Sequence, residues 1–339
     1  MNGRRLLGTL VALAALSACS DGAEGGAQPS SPAASPTTTT PTPSPMPAIS
    51  AVEVQKAVSG FLAVRNRASA RYDDALIRTV ASGPLLEREL ADHKINRILK
   101  RKIPPLAVVN PVGSVTPPGT WPQRLVVAAE VKGKADERIA GLAQRSAPDA
   151  PWAWTHLVNL GSETLAQYVT SPPLPGGGSV RTPTRAELGR LSMTPAAAVQ
   201  RLAQDMSTRT QSLLFDGFAL TGSADEYRGD LILQASMTTP DERPATLAVE
   251  YGPAVALQSF GKVLVFATIS MSWIHPVEPG TQAKWPPGPQ QALAVKGRWY
   301  TKSLMDFEQL QVVLAMPPKG SGDIQVLGIS RQRTGVGGV

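Results

Sequence analysis

Val263-Leu264-Val265-Phe266-Ala267-Thr268-Ile269-Ser270-Met271-Ser272-Trp273 is apolar at every second residue. Val263, Val265, Ala267, Ile269, Met271 and Trp273 fall on one side at a period of two, a spacing a helix would scatter around its circumference. The run therefore reads as a long β-strand. It is too short and carries too many hydroxyls to be a membrane helix, which needs about 20 apolar residues. Residues 231–238, 245–251, 292–295, 309–316 and 323–330 read as further strands around it. A helix precedes them, opened by Thr194-Pro195 as cap and first residue, with Val199, Leu202, Ala203 and Met206 on one face.

The first half repeats that order. Val54, Val58, Phe61, Leu62 and Arg65 have helical spacing, which predicts a helix over 50–70 capped by Ser50. Asp73 or Asp74 caps a second helix, and Gly83-Pro84 starts a third. The period then changes. Residues 106–115 form a strand-like run broken by Asn110-Pro111. Leu125, Val127, Ala129 and Val131 alternate, residues 152–160 give a strand with Trp152, Trp154, His156 and Val158 on one side, and 163–169 add another. Proline pairs and a triple glycine in 172–178 mark a boundary. The expected fold class is α+β: two tandem domains over 49–175 and 193–335, joined by a linker at 176–192. Each has amphipathic helices on a curved antiparallel sheet.

The amino terminus carries a different message. Arg4 and Arg5 precede an apolar run ending in Leu16-Ser17-Ala18-Cys19, the layout of a secretory signal over residues 1–18. With a cysteine at the cleavage point it resembles the lipobox of bacterial lipoproteins. That resemblance implies a diacylglyceryl group on Cys19 and a membrane anchor, since two acyl chains suffice for stable attachment. Cys19 is the sole cysteine of the 339-residue chain, so no intramolecular disulfide or thiolate cluster can form. Residues 19–48 are mostly Ser, Pro, Thr, Ala and Gly and have too little apolar bulk to fold, so a disordered tether is expected. A helix followed by a curved antiparallel sheet is similar to the nuclear-transport-factor-2-like or cystatin-like cone. The whole layout resembles uncharacterised actinobacterial lipoproteins. The residues that carry this are Cys19, the 29–47 linker, Arg65-Asn66-Arg67-Ala68, Asp73-Asp74-Ala75-Leu76, Gly83-Pro84, and the closing 317–322 turn with Val326-Leu327-Gly328. These are packing and turn motifs, and the resemblance implies a place in the cell envelope and no particular chemistry.

The formal charge of +7 falls to +5 once residues 1–18 are removed, because they hold two arginines and no acids. Lys94, Arg97, Lys100, Arg101 and Lys102 form the dense basic cluster. It reads as a solvated helix end, where cations are favourable, with anionic lipid or wall polymer as the functional alternative. Without interleaved aromatics it does not read as a nucleic-acid site. His93, His156 and His275 lack metal-ligand spacing, and the rest of the sequence has no serine-nucleophile elbow or phosphate loop. His93 is expected exposed near a helix end and His275 at a strand terminus. Asp73, Asp74, Glu87, Glu130, Asp205, Asp216, Asp230 and Glu250 are the carboxylates available to an acid–base pair. Trp152, Trp154 and Trp285 are the candidate ligand-contact aromatics, Trp285 because Lys284-Trp285-Pro286-Pro287 suits an exposed loop. The sequence thus predicts no enzyme, metal or cofactor. It predicts a lipid-anchored envelope module that binds a partner protein, a wall polymer or a small apolar ligand. The alternatives are a cone enzyme with His156 or His275 beside a carboxylate, and a passive scaffold.

Overall fold

In the computed structural model the described residues are 49–134, 137–160, 165, 180–208, 215–216, 246–251, 254–259, 261–285 and 288–339. The expected signal, Cys19, the tether, the 172–178 boundary and the strands at 231–238 and, apart from Leu165, at 163–169 lie outside them. Helix α1 is Ala51–Arg71. Ser50 accepts from the Glu53 backbone N–H while the Glu53 carboxylate accepts from the Ser50 N–H, a reciprocal capping box. Asp73 caps α2 (Asp74–Ile77) through the Leu76 N–H at 2.9 Å. Helix α3 (Gly83–Leu99) begins with Pro84 in its first turn, where the missing N–H costs nothing. None of the described helices is long and apolar enough to cross a membrane.

The strands that follow are β1 (Val108–Val115), β2 (Gln123–Val131), β3 (Arg138–Arg145) and β4 (Ala153–Leu160). Asn110-Pro111 does not break β1. Asn110 adopts a left-handed backbone, the register shifts between Val109 and Val112, and the strand continues past a bulge. Next come α4 (Arg185–Gly189), α5 (Pro195–Thr208), β5 (Phe215–Asp216), β6 (Thr246–Tyr251), β7 (Val255–Ser259), β8 (Lys262–Pro276), α6 (Pro289–Leu293), β9 (Ser303–Met316) and β10 (Ile324–Gly338). Residues 292–295, expected as a strand, instead end the short helix α6 and the turn after it. Gly288-Pro289 opens this helix, and proline suits a first turn.

The described strands form one sheet in the order β1-β2-β3-β4-β10-β9-β8-β6, with β7 on β8 and β5 on β10. All pairings are antiparallel except β5 with β10. The fold is α+β with a curled, mainly antiparallel sheet. Residues 44–339 form one compact unit, and the strands of the two expected halves meet where Gly328 of β10 pairs with Leu160 of β4. Residues 180–192, expected as linker, are built in. Arg181 exchanges two backbone hydrogen bonds with Gln258, and Thr184 caps α4.

Alternation explains the layers. On one face of β2–β4, Leu125, Val127, Ala129 and Leu157 receive the α1 stripe of Val54, Val58, Phe61 and Leu62. On one face of β8–β10, Val265, Ile269, Val312 and Leu314 receive Val199, Leu202 and Ala203 of α5. The remaining faces meet each other: Val126, Leu142 and Val158 share a core with Leu264, Phe266 and Val313. The sheet therefore curls until its two halves confront one another, with a helix layer outside each.

Candidate functional site

The larger of two described concavities is an open groove of about 1090 Å³ between the start of α1, the loop before β2 and the loop joining β3 to β4. Trp121 stands 42 % exposed on its wall. Trp152 is half-buried beside it, and the Arg145 guanidinium lies over its ring at 4.7 Å from the centroid. Arg145 is itself fixed, donating through Nε to Gln123 Oε1 at 2.9 Å and through Nη1 to the Pro148 carbonyl at 2.9 Å. Glu53 belongs to the same wall. The Ser50 backbone N–H and hydroxyl, with Arg145 adding a weaker attraction, hold its carboxyl below the usual range. The groove thus offers flat aromatic surface edged by Lys56, Arg145, Glu53 and Asp149, two charges of each sign.

Trp154 lines the floor of this groove but is almost wholly buried. Its ring stacks on Phe61 at 4.6 Å and 21°, and it occupies the space over Gly141, where an added Cβ would meet its Cε3 at 3.1 Å. It is a core residue first. The expected common side for Trp152, Trp154, His156 and Val158 is not found. His156 pairs with Leu142 and Trp154 with Ala143, so Thr155 is an extra residue in β4. This bulge leaves Trp154 toward α1 and turns His156 and Val158 to the interior core. Trp285 is also corrected. It is 5 % exposed, packs with Val277, Tyr300 and Leu304, and donates from Nε1 to the Gly337 carbonyl at 3.1 Å. The turn brings it under the end of β10, so it faces neither concavity.

The smaller concavity, about 420 Å³, lies at the seam between β4 and β10, under α1 and α3. Arg65 of α1 donates through Nε to Glu89 Oε1 at 3.0 Å, and Arg88 approaches the same oxygen at 3.4 Å. Arg88 Nη1 also donates to the Leu157 carbonyl at 2.5 Å. Asp92 follows Glu89 by three residues and faces the same cleft. Burial, with the neighbouring Glu89 carboxylate, pushes the Asp92 carboxyl above its usual range, and burial pulls the Arg88 guanidinium down. Sequence reasoning did not single out this cleft. Its signal was Arg65, a cation on the buried stripe of an amphipathic helix, and Glu89 and Asp92, which continue the inward face begun by Leu85.

Among the described residues a histidine–carboxylate pair occurs at His93 and Asp74, not at His156 or His275, where the cone-enzyme alternative places it. His93 is fully buried rather than exposed, with Nδ1 3.0 Å from Asp74 Oδ1 and Nε2 3.4 Å from Ser69 Oγ. The helical period places it on the inner face of α3, turned back toward α1 and α2. His156 sits against Phe266, and burial, with the Arg88 charge, pulls it down to about 4, so it is neutral near pH 7. His275 ends β8 against Trp285 and is pulled down by burial. Neither imidazole has a hydrogen-bonded carboxylate among the described residues, and no histidine lines either concavity.

The remaining carboxylates have structural partners. Glu87 accepts from Gln309 Nε2 at 2.6 Å, Glu130 from Asn110 at 3.2 Å, and Asp205 pairs with Arg201 at 3.0 Å. Asp230 and the side chains of Asp216 and Glu250 lie outside the described residues. No group of three or more His, Cys, Asp or Glu side chains placed to hold a metal occurs among the described residues. In the basic cluster, Lys94 donates to the Leu293 carbonyl and Arg97 to the Tyr72 carbonyl and Asp74, so part of it is spent on packing.

No curated protein and no solved structure matches this chain. A family model described as "Domain of unknown function (DUF8094)" matches residues 45–338, which spans both helix layers and the whole described sheet. The chain belongs to the DUF8094 family.

Proposed function

We propose that the protein is an extracytoplasmic lipoprotein, held to the membrane by lipid on Cys19, whose folded part binds a neutral glycan of the cell envelope in the Trp121–Trp152 groove. The carrying observation is the exposed aromatic wall with Arg145 clamped over Trp152. Sugar rings stack on such surfaces through their apolar faces, and the flanking polar groups hydrogen-bond the hydroxyls. Lys56 and Arg145 offset Glu53 and Asp149, which favours an uncharged partner over a polyanion. A groove of about 1090 Å³ exceeds what one ring fills and suits an extended chain. The two helix-on-sheet halves, each with its own core beneath its helices, further support a tandem duplication of one cone-like unit.

Binding of purified envelope glycan, followed by calorimetry, tests the groove. Trp152→Ala should weaken it roughly 10-fold or more, as expected for an aromatic anchor. Unchanged affinity in the variant, or no binding to the intact protein, would overturn the assignment. The anchor has its own test. Cys19→Ala should move the protein from the membrane fraction to the soluble fraction, and undiminished retention in membranes would exclude lipid attachment at that residue.

A further inference from the structure

We infer that the seam cleft is a second binding site, independent of the aromatic groove, and that its ligand is a small zwitterion of the α-amino-acid type. One buried ion pair, Arg65 with Glu89, stands at the wall of the cleft. Arg65 uses Nε on Glu89 Oε1, and its two terminal nitrogens donate to none of the described residues. Glu89 Oε2 is buried and also has no hydrogen-bond partner among the described residues. Free donors and a free acceptor therefore stand side by side on the same pair, at the wall of a cavity. An unmet buried carboxylate oxygen is costly, and so is each carboxylate placed beside another.

The charges select the ligand. Arg65 and Arg88 balance Glu89 and Asp92, the third arginine of the lining, Arg331, is paired with the buried Glu308, and Lys134 and Glu137 at the rim pair with each other at 2.8 Å. A net anion or net cation would upset that balance, whereas a zwitterion preserves it. An ammonium between Glu89 and Asp92 relieves their mutual repulsion, which adds to burial in raising the Asp92 carboxyl. A carboxylate against the terminal nitrogens of Arg65 makes the bidentate contact that guanidinium favours. In an α-amino acid these two groups are on one carbon, as the adjacency of the free donors and acceptor demands. A metal ion fits worse, because two guanidinium groups crowd the same carboxylates. The volume of about 420 Å³ leaves room for a side chain beyond the two poles.

The test uses the full chain in detergent, screened by thermal shift against the twenty L-α-amino acids, with methylamine, acetate and their mixture as controls. At least one amino acid should raise the melting temperature by a few degrees, and the separated poles should not. Asp92→Asn keeps the helix and the Arg65–Glu89 pair, yet should weaken the dissociation constant of that amino acid roughly 10-fold or more. Arg65→Gln should abolish the shift; if that variant fails to fold, the Asp92→Asn titration decides alone. No shift from any of the twenty, a shift reproduced by methylamine or acetate, or unaltered affinity in Asp92→Asn would overturn the site. Glycan binding in the groove is unaffected by either outcome.

Discussion

Gly328→Val should open the sheet at its seam and cost about 3 kcal/mol or more of stability, at or above the top of the range for forced overpacking. Among the described residues Gly328 is the one residue of β10 in ladder register with β4, opposite Leu160. It also sits beside a bulge, since Val326 pairs with Leu314 and Gly328 with Val313, leaving Leu327 over. An added Cβ would collide with the Asn159 carbonyl oxygen and lie 3.0 Å from Leu160 Cα. These are backbone atoms and cannot rotate away. Two further described hydrogen bonds tie β4 across the seam: Asn159 N–H to Ser330 Oγ at 2.7 Å and Leu157 N–H to Gln311 Oε1 at 2.9 Å. Pushing β4 from β10 strains both and loosens the interior core they close, which holds Val158 and Leu327. Calorimetric unfolding should then broaden or split into two transitions, one for each half. Gly335→Ala is the control, because a Cβ there meets Phe307 Cδ2 at an ordinary 3.5 Å; it should stay within about 0.5 kcal/mol of the parent. A valine variant that melts as one transition at the parent temperature would show that the seam does not depend on this approach.

That narrow seam also explains what could be read from the sequence. Period and capping are local, and they found α1, α5, β2 and β8 with their buried faces. The Ser50 cap and the Val263-to-Trp273 face are direct consequences of spacing. The joining of two halves at one Gly328–Leu160 pairing has no periodic signature, so the sequence suggests separate domains where one sheet runs through both. Bulges defeat the same logic on a smaller scale. One extra residue at Thr155 turns His156 away from Trp154, and Asn110-Pro111 looks like a break but is a bulge within a strand. Trp285 misleads for another reason: a proline-rich flank suggests exposure, but the ring is covered by Tyr300 and the end of β10. The seam cleft was legible in part. A charge at a core position of an amphipathic helix needs a partner, and Arg65 finds it 24 residues on in Glu89. Nothing local, however, predicts that the pair would border a cavity.

Strands β9 and β10 also hold a buried charge cluster whose disruption should be costly. Asp306 and Glu308 alternate with core residues on the α5 side of β9, and both are buried. Arg333 Nε donates to both Asp306 oxygens at 2.8 Å and its Nη2 lies 3.6 Å from Glu308 Oε1, while Arg331 pairs with Glu308. Burial pushes the Asp306 carboxyl up to about 7, with Arg333 pulling against it and Glu308 adding to the rise. Its ordinary value is about 3.9. Between those values the folded state keeps a proton that the unfolded chain releases. This contribution to stability is therefore complete below about pH 4 and is lost as pH rises through about 7. Arg333→Met removes the downward pull and leaves an ionised Asp306 without its cation. At pH 8 the loss should be about 3–5 kcal/mol, the cost of breaking a buried pair from one side. At pH 5 the carboxyl can protonate in place, so the deficit should shrink. Asp306→Asn added to Arg333→Met should recover part of the pH 8 loss, because the orphaned charge is gone and Glu308 retains Arg331. Denaturant midpoints at the two pH values check this directly. A deficit below about 1 kcal/mol that is the same at both would mean the pair behaves as an exposed one, and that these side chains are wetter than their burial implies.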